Sequence, residues 1–159
     1  MANPPPYVIR SVDVPETEGH YPAPFDAEKL SIGRDLGKAA GTRTAGLWQE
    51  RLLPGRRTSF THAHSHEEEI VYVLSGRCHV RVIEPGGEPQ EFPLEAGHVA
   101  AFPAGTGIAH CLVNHGDEEA VYLCFGERRP EVDRCFYPED TAYDTQLRAE
   151  HPEQHWTRK

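Results

Sequence analysis

Residues 61–76 read THAHSHEEEIVYVLSG: three histidines and three glutamates within nine positions, followed at once by strand-forming apolar residues. Successive side chains of an extended strand point to opposite faces, so His62 and His64, two apart, project from the same side. Were that strand to run on, His66 would join them and Glu69, of the other parity, would not. The polar run SHEE (65–68) is instead read as a turn that resets the register. On the strand that begins at Glu69, the carboxylate then shares a face with Val71 and Val73, while Ile70, Tyr72 and Leu74 share the other. Both faces are apolar, which predicts a strand sandwiched in the core.

A carboxylate that enters an apolar interior is costly unless a cation or hydrogen bonds compensate it. A metal ion held by His62, His64 and Glu69 supplies that compensation. FPAGTGIAHCLVN (102–114) offers a fourth ligand, His110, behind a glycine-rich turn that lets the chain approach closely. Three imidazoles and one carboxylate suit one divalent transition metal, Fe, Mn, Ni, Co, Cu or Zn, and donor softness does not choose among these. The free imidazole N–H groups then need acceptors behind them. Phe60 shares parity with His62 and His64, Leu112 with His110, and Val71 with Glu69. Together with Trp48 these are expected to line a small, mostly apolar pocket. Cys111 should face away from the metal. Arg51, Arg56, Arg57 and His66 read as solvated groups, with the option that one of them reaches the pocket mouth.

Working outward, residues 46–127 alternate short apolar segments with turn signals about every 8 to 12 residues, the pattern of an all-β sandwich or barrel. The segments are LWQERLLP (47–54), SFTHAH (59–64), EIVYVLSG (69–76), RCHVRVIE (77–84), QEFPLE (90–95), HVAAFPA (98–104), AHCLVN (109–114) and AVYLCFGE (120–127). In RCHVRVIE the alternation is clean, with Cys78, Val80 and Val82 opposed to His79 and Arg81, so one side is covered and the other wet. Residues 1–45 form an extended arm and a loop-rich lead-in. Residues 128–159 form a C-terminal extension whose last stretch is either a short helix or frayed. Both flanks are long for decorations on one barrel. A homodimer is therefore expected, with one flank crossing to the partner.

The chain of 159 residues fits one domain that closes its core without disulfides. Its 25 acidic residues against 16 basic ones, with the excess concentrated between residues 45 and 127, argue against nucleic acid or an anionic membrane surface as a partner. No run approaches the roughly 20 apolar residues of a membrane span. The opening MANPPPYVIR has no apolar core of a leader, so a cytoplasmic location is expected. Cys78, Cys111, Cys124 and Cys135 sit singly, with no C-x-x-C pair, and are expected to be thiols packed as small hydrophobes.

Two spaced motifs carry a family resemblance. Gly55, His62, His64, Glu69 and Gly76, in the pattern G-x6-H-A-H-x4-E-x6-G, resemble the first cupin motif. Gly97, Pro103, Gly105, His110 and Asn114, in G-x5-P-x-G-x4-H-x3-N, resemble the second. The first gap is one residue longer, and the gap before His110 two residues longer, than the family's usual pattern. The resemblance covers about half the chain and points to the small single-domain bacterial cupins. It implies a single cupin barrel, a double-stranded β-helix or jelly roll, over residues 46–127, with the family's metal ligands falling on His62, His64, Glu69 and His110. It further implies a divalent metal acting on a small oxygen-bearing metabolite as a dioxygenase, isomerase or lyase. The alternative is a non-catalytic module that binds or senses a sugar or carboxylate.

Overall fold

The computed structural model describes residues 4–157, so the first three residues of the arm and the last two of the extension lie outside the described residues. In chain order the elements are β1 (Thr17–Glu18), β2 (Ile32–Asp35), α1 (Leu36–Ala40), β3 (Ala45–Leu52), β4 (Ala63–His64), β5 (Glu69–Ser75), β6 (Arg77–Ile83), β7 (Gln90–Glu95), β8 (Val99–Phe102), β9 (Ala109–Val113), β10 (Ala120–Glu127), β11 (Cys135–Phe136) and α2 (Thr141–Glu150). A six-stranded sheet in the order β1-β2-β3-β10-β5-β8 faces a three-stranded sheet, β7-β6-β9, and a two-stranded ribbon, β11-β4. The named strand pairs are antiparallel. The result is an all-β jelly-roll barrel.

Every expected apolar segment contains a strand. SFTHAH yields only the short β4, which pairs with β11; just before it His62 and His110 form an isolated bridge with backbone hydrogen bonds of 3.1 and 2.8 Å. The core draws on both sheets: Leu52, Val71, Val73 and Tyr122 from one, Cys78 and Leu112 from the other. Gly76, at the β5–β6 turn, has φ +75°, and a Cβ there would stand 2.3 Å from the Glu119 carbonyl oxygen, so only glycine fits.

One expectation is corrected. Strand β5 is not sandwiched: Val71 and Val73 are buried at 2% and 0%, but Ile70, Tyr72 and Leu74 are 42%, 39% and 40% exposed. The wall has one interior, and no segment among the described residues covers its outside. The flanks pack onto the barrel. Residues 17–35 add β1 and β2 to the sheet edge, and β11 pairs with β4. Arg57 holds both flanks at once, through Glu28 of the lead-in and Asp140 of the extension, each at 2.8 Å. Arg81 anchors Glu139, and Arg128 anchors Asp35. The tail resolves into helix α2, with Leu147 buried against the barrel.

Candidate metal centre

The turn at 65–68 separates β4 from β5 as the parity argument requires, and it brings Glu69 back toward the histidines on the inner side of the barrel. Nε2 of His62 and Nε2 of His64 are 3.0 Å apart. Glu69 Oε2 lies 3.4 Å from His110 Nε2 and 3.7 Å from His64 Nε2. The ligand atoms of His62, Glu69 and His110 all fall within 4.8 Å of one another. Donors bound about 2.1 Å from one ion stand roughly 3.0 to 3.4 Å apart in octahedral or tetrahedral arrangements. His62, Glu69 and His110 form a group able to hold a metal ion, and His64 adjoins it through His62.

Each ring is oriented from behind. His62 Nδ1 is 2.8 Å from the Phe60 carbonyl oxygen, and the His110 ring stacks on Phe102 at 3.5 Å with an interplanar angle of 1°. His64 Nδ1 meets Asp133 Oδ2 at 2.7 Å, while Asp133 Oδ1 accepts backbone N–H groups from His66 at 2.8 Å and Glu67 at 3.1 Å. Cys135 Sγ lies 3.3 Å from the same His64 nitrogen, and His64, Asp133 and Cys135 make a second set of metal-capable groups. We read this second set as the support of the first. It shares His64 through the nitrogen that faces away from the cavity, and its carboxylate is already engaged by the turn.

The electrostatics divide the site. Burial works against ionised Glu69, yet the His110 hydrogen bond and the neighbouring imidazoles hold its carboxyl far below the usual carboxylate range. Burial, together with the charge of His64 and His110, pushes His62 down to about 3. His64 is also penalised by burial, but hydrogen bonds with Asp133 and Cys135 carry it up to about 11. Asp133 is shifted low in turn: burial opposes this, and the His64 hydrogen bond outweighs it.

A cavity of about 160 Å³ opens on this cluster, lined by His62, Glu69, His110, Val71, Leu112 and others. A neighbouring hollow of about 180 Å³ shares Glu69 and Cys124 with it and adds His64 and Trp48. A larger hollow, about 570 Å³, lies at Thr44–Gly46, Ile70 and Phe125 and touches none of the four candidate ligands other than through the neighbouring turn. Phe60 lines neither of the two site cavities. Its ring stacks on Tyr21 at 3.8 Å and meets Tyr143 and Tyr137: Phe60 lies in the bend before β4, where strand parity does not hold, and the flanks claim its side chain. Arg51, Arg56 and Arg57 pair with acidic groups of the flanks and loops, and His66 contacts Ser65.

Sequence reasoning missed several groups at the site. Cys124 Sγ donates to Glu69 Oε1 at 3.1 Å, so it is more than a small hydrophobe. Glu50 and Tyr122 share a hydrogen bond on the cavity wall. Glu50 could have been found, since it shares inward parity with Trp48 and Leu52 in an otherwise apolar stretch. Asp133 could not: nothing in ERRPEVDRC (127–135) marks one acid from another.

An antiparallel jelly roll with a candidate metal-ligand group on its inner wall is the architecture of the small cupin barrels. Residues 48–126 match the family model of the cupin domain, and the chain belongs to that family. A sugar phosphate isomerase of the cupin superfamily from Silicibacter pomeroyi is 29% identical, with a TM-score of 0.72 over 83% of this chain and 82% of that one. The polyketide synthase CurC of Streptomyces cyaneus is 32% identical over 70% of this chain and 64% of its own length. The glucose-6-phosphate isomerase of Thermococcus gammatolerans is 32% identical over 57% and 43%. The chain thus spans less than two thirds of the length of either curated relative. No helix among the described residues is long and apolar enough to cross a membrane.

Proposed function

We propose that the chain binds one divalent transition metal through His62, His64, Glu69 and His110 and uses it to isomerise a small hydroxy-carbonyl compound. The observation that supports this reading is the convergence of His62, Glu69 and His110 on one cavity, with His64 beside them on the adjoining hollow. The two similar isomerases favour that reaction over the dioxygenase and lyase options. A divalent ion held there would supply an electrophile for a carbonyl or hydroxyl oxygen. The cavity has room for about five water volumes at roughly 30 Å³ each, enough for the reacting end of a sugar. No lysine or arginine lines it, so a phosphate group would lie outside, toward Arg128 in the neighbouring hollow.

The test is to load metal-free protein with Mn, Fe, Co, Ni or Zn, measure bound metal by mass spectrometry, and follow interconversion of fructose 6-phosphate and dihydroxyacetone phosphate with their isomers. Near-stoichiometric metal, lost in His62→Ala, together with turnover is the expected result. Metal without turnover of any such compound supports the non-catalytic binding module in its place. We also propose that the protein acts as a homodimer in the cytoplasm, with a second copy covering the exposed Ile70, Tyr72 and Leu74 face of β5 beside Val99 and Phe125. Light scattering on Ile70→Glu should then show a shift toward monomer, and a monomeric wild type would end that part of the reading.

A further inference from the structure

Glu50 is a costly residue that the fold does not require. It stands on β3 between Trp48 and Leu52 at inward parity, paired across the sheet with Tyr122 of β10. Its carboxyl meets the Tyr122 hydroxyl and, at 3.0 Å, the Ser31 hydroxyl, and no lysine, arginine or histidine among the described residues partners it. It lines the same cavity as His62, Glu69 and His110. A structural carboxylate buried in a barrel is normally fixed by a cation. Hydroxyl partners are different: each can donate to a carboxylate or accept from a carboxylic acid, so neither protonation state is locked.

Burial raises the Glu50 carboxyl, against the hydrogen bonds from Tyr122 and Ser31. A carboxyl on the cavity wall whose hydroxyl partners fix neither form can take and give a proton.

We propose that Glu50 is the catalytic acid–base that moves the substrate proton, with Tyr122 and Ser31 holding its carboxyl toward the cavity; this rests on the isomerase reading above. The bond that breaks is the C–H next to the substrate carbonyl. Its proton goes to a Glu50 carboxylate oxygen, and its electron pair forms the carbon–carbon double bond of an enediolate as the carbonyl oxygen takes the negative charge. Glu50 returns the proton to the former carbonyl carbon while a hydroxyl proton passes between the two oxygens. No oxidant or further reactant is needed.

Glu50→Gln keeps the size of the side chain and its hydroxyl partners but cannot carry the proton. Wild type and E50Q, loaded with the same ion to equal content, are incubated with fructose 6-phosphate and dihydroxyacetone phosphate in deuterated water, and exchange at the α-carbon is read by NMR. Equal metal content with exchange about 10²- to 10⁴-fold slower in E50Q is the expected result. Exchange at the wild-type rate in E50Q overturns the role of Glu50. Interconversion of the probes by E50Q at the wild-type rate, with no deuterium uptake in either protein, overturns Glu50 and leaves the isomerase reading standing. Wild type that neither interconverts the probes nor takes up deuterium overturns both. If E50Q does not load metal, Glu50→Ala, which also cannot carry the proton, decides by the same criteria at equal metal content. A readout without turnover is an infrared titration of metal-free protein: wild type should carry a carboxyl that converts between its ionised and protonated bands and is missing in E50Q, and a wild type without such a band also overturns the proposal.

Discussion

Asp133 offers the sharpest test of how the extension supports the site. Its two oxygens do different work: Oδ2 meets His64 Nδ1 at 2.7 Å, and Oδ1 accepts the N–H groups of His66 and Glu67 at 2.8 and 3.1 Å. In Asp133→Asn one of these acceptors becomes an NH2 group. Either the amide faces the turn N–H groups, or it faces the imidazole N–H that a metal-bound His64 must present on that side. Both arrangements set donor against donor and loosen the ring that the ligand nitrogen belongs to. Loss of such a supporting carboxylate costs about 10- to 100-fold in metal affinity, about 1.4 to 2.7 kcal/mol. The assay is a competition titration of Zn²⁺ or Co²⁺ against a chromophoric chelator at fixed pH. Wild-type affinity in D133N, alongside lost affinity in His64→Ala, would refute the reasoning.

Further expectations concern pH and packing. In metal-free protein His64 is raised to about 11 from 6.5, so it contributes stability that is full below pH 6.5 and is lost as pH climbs toward 11. His62 is lowered to about 3, so the unfolded chain binds a proton that the folded one does not, and stability also falls as pH drops from 6.5 toward 3. Urea denaturation across pH should therefore show a metal-free optimum near 6.5, and a flat profile there would contradict both shifts. Because a ligating His64 must give up a proton, metal addition to weakly buffered protein at neutral pH should release acid. Gly76→Ala should cost about 1 to 3 kcal/mol from backbone strain alone, with the clash against Glu119 added, measurable by thermal melting. Leu52→Ala, at a fully buried position, should cost about 2 to 5 kcal/mol.

The barrel was legible because its signals are local. Alternation in RCHVRVIE depends only on which side of β6 meets the core, and Cys78 and Val80 are buried where the alternation puts them. Convergence of His62, His64 and Glu69 was likewise foreseeable from strand parity and one turn between them. Reading β5 failed on its outer face for a specific reason. Apolar residues on both faces say that both prefer cover, but whether cover comes from the same chain is a property of the assembly.

By itself, then, the order of residues determined the strands, the turn that resets register, and the side chains able to hold a metal, since each is settled by neighbours a few positions away. Only the folded chain decided that Phe60 joins Tyr21 and Tyr143 and not the cavity, that Asp133 stands behind His64 across 69 residues of chain, and that Glu50 and Tyr122 share the cavity wall. Those pairings depend on where distant segments return. Many acids in the chain are locally alike, and burial beside a particular partner is what separates one of them from the rest.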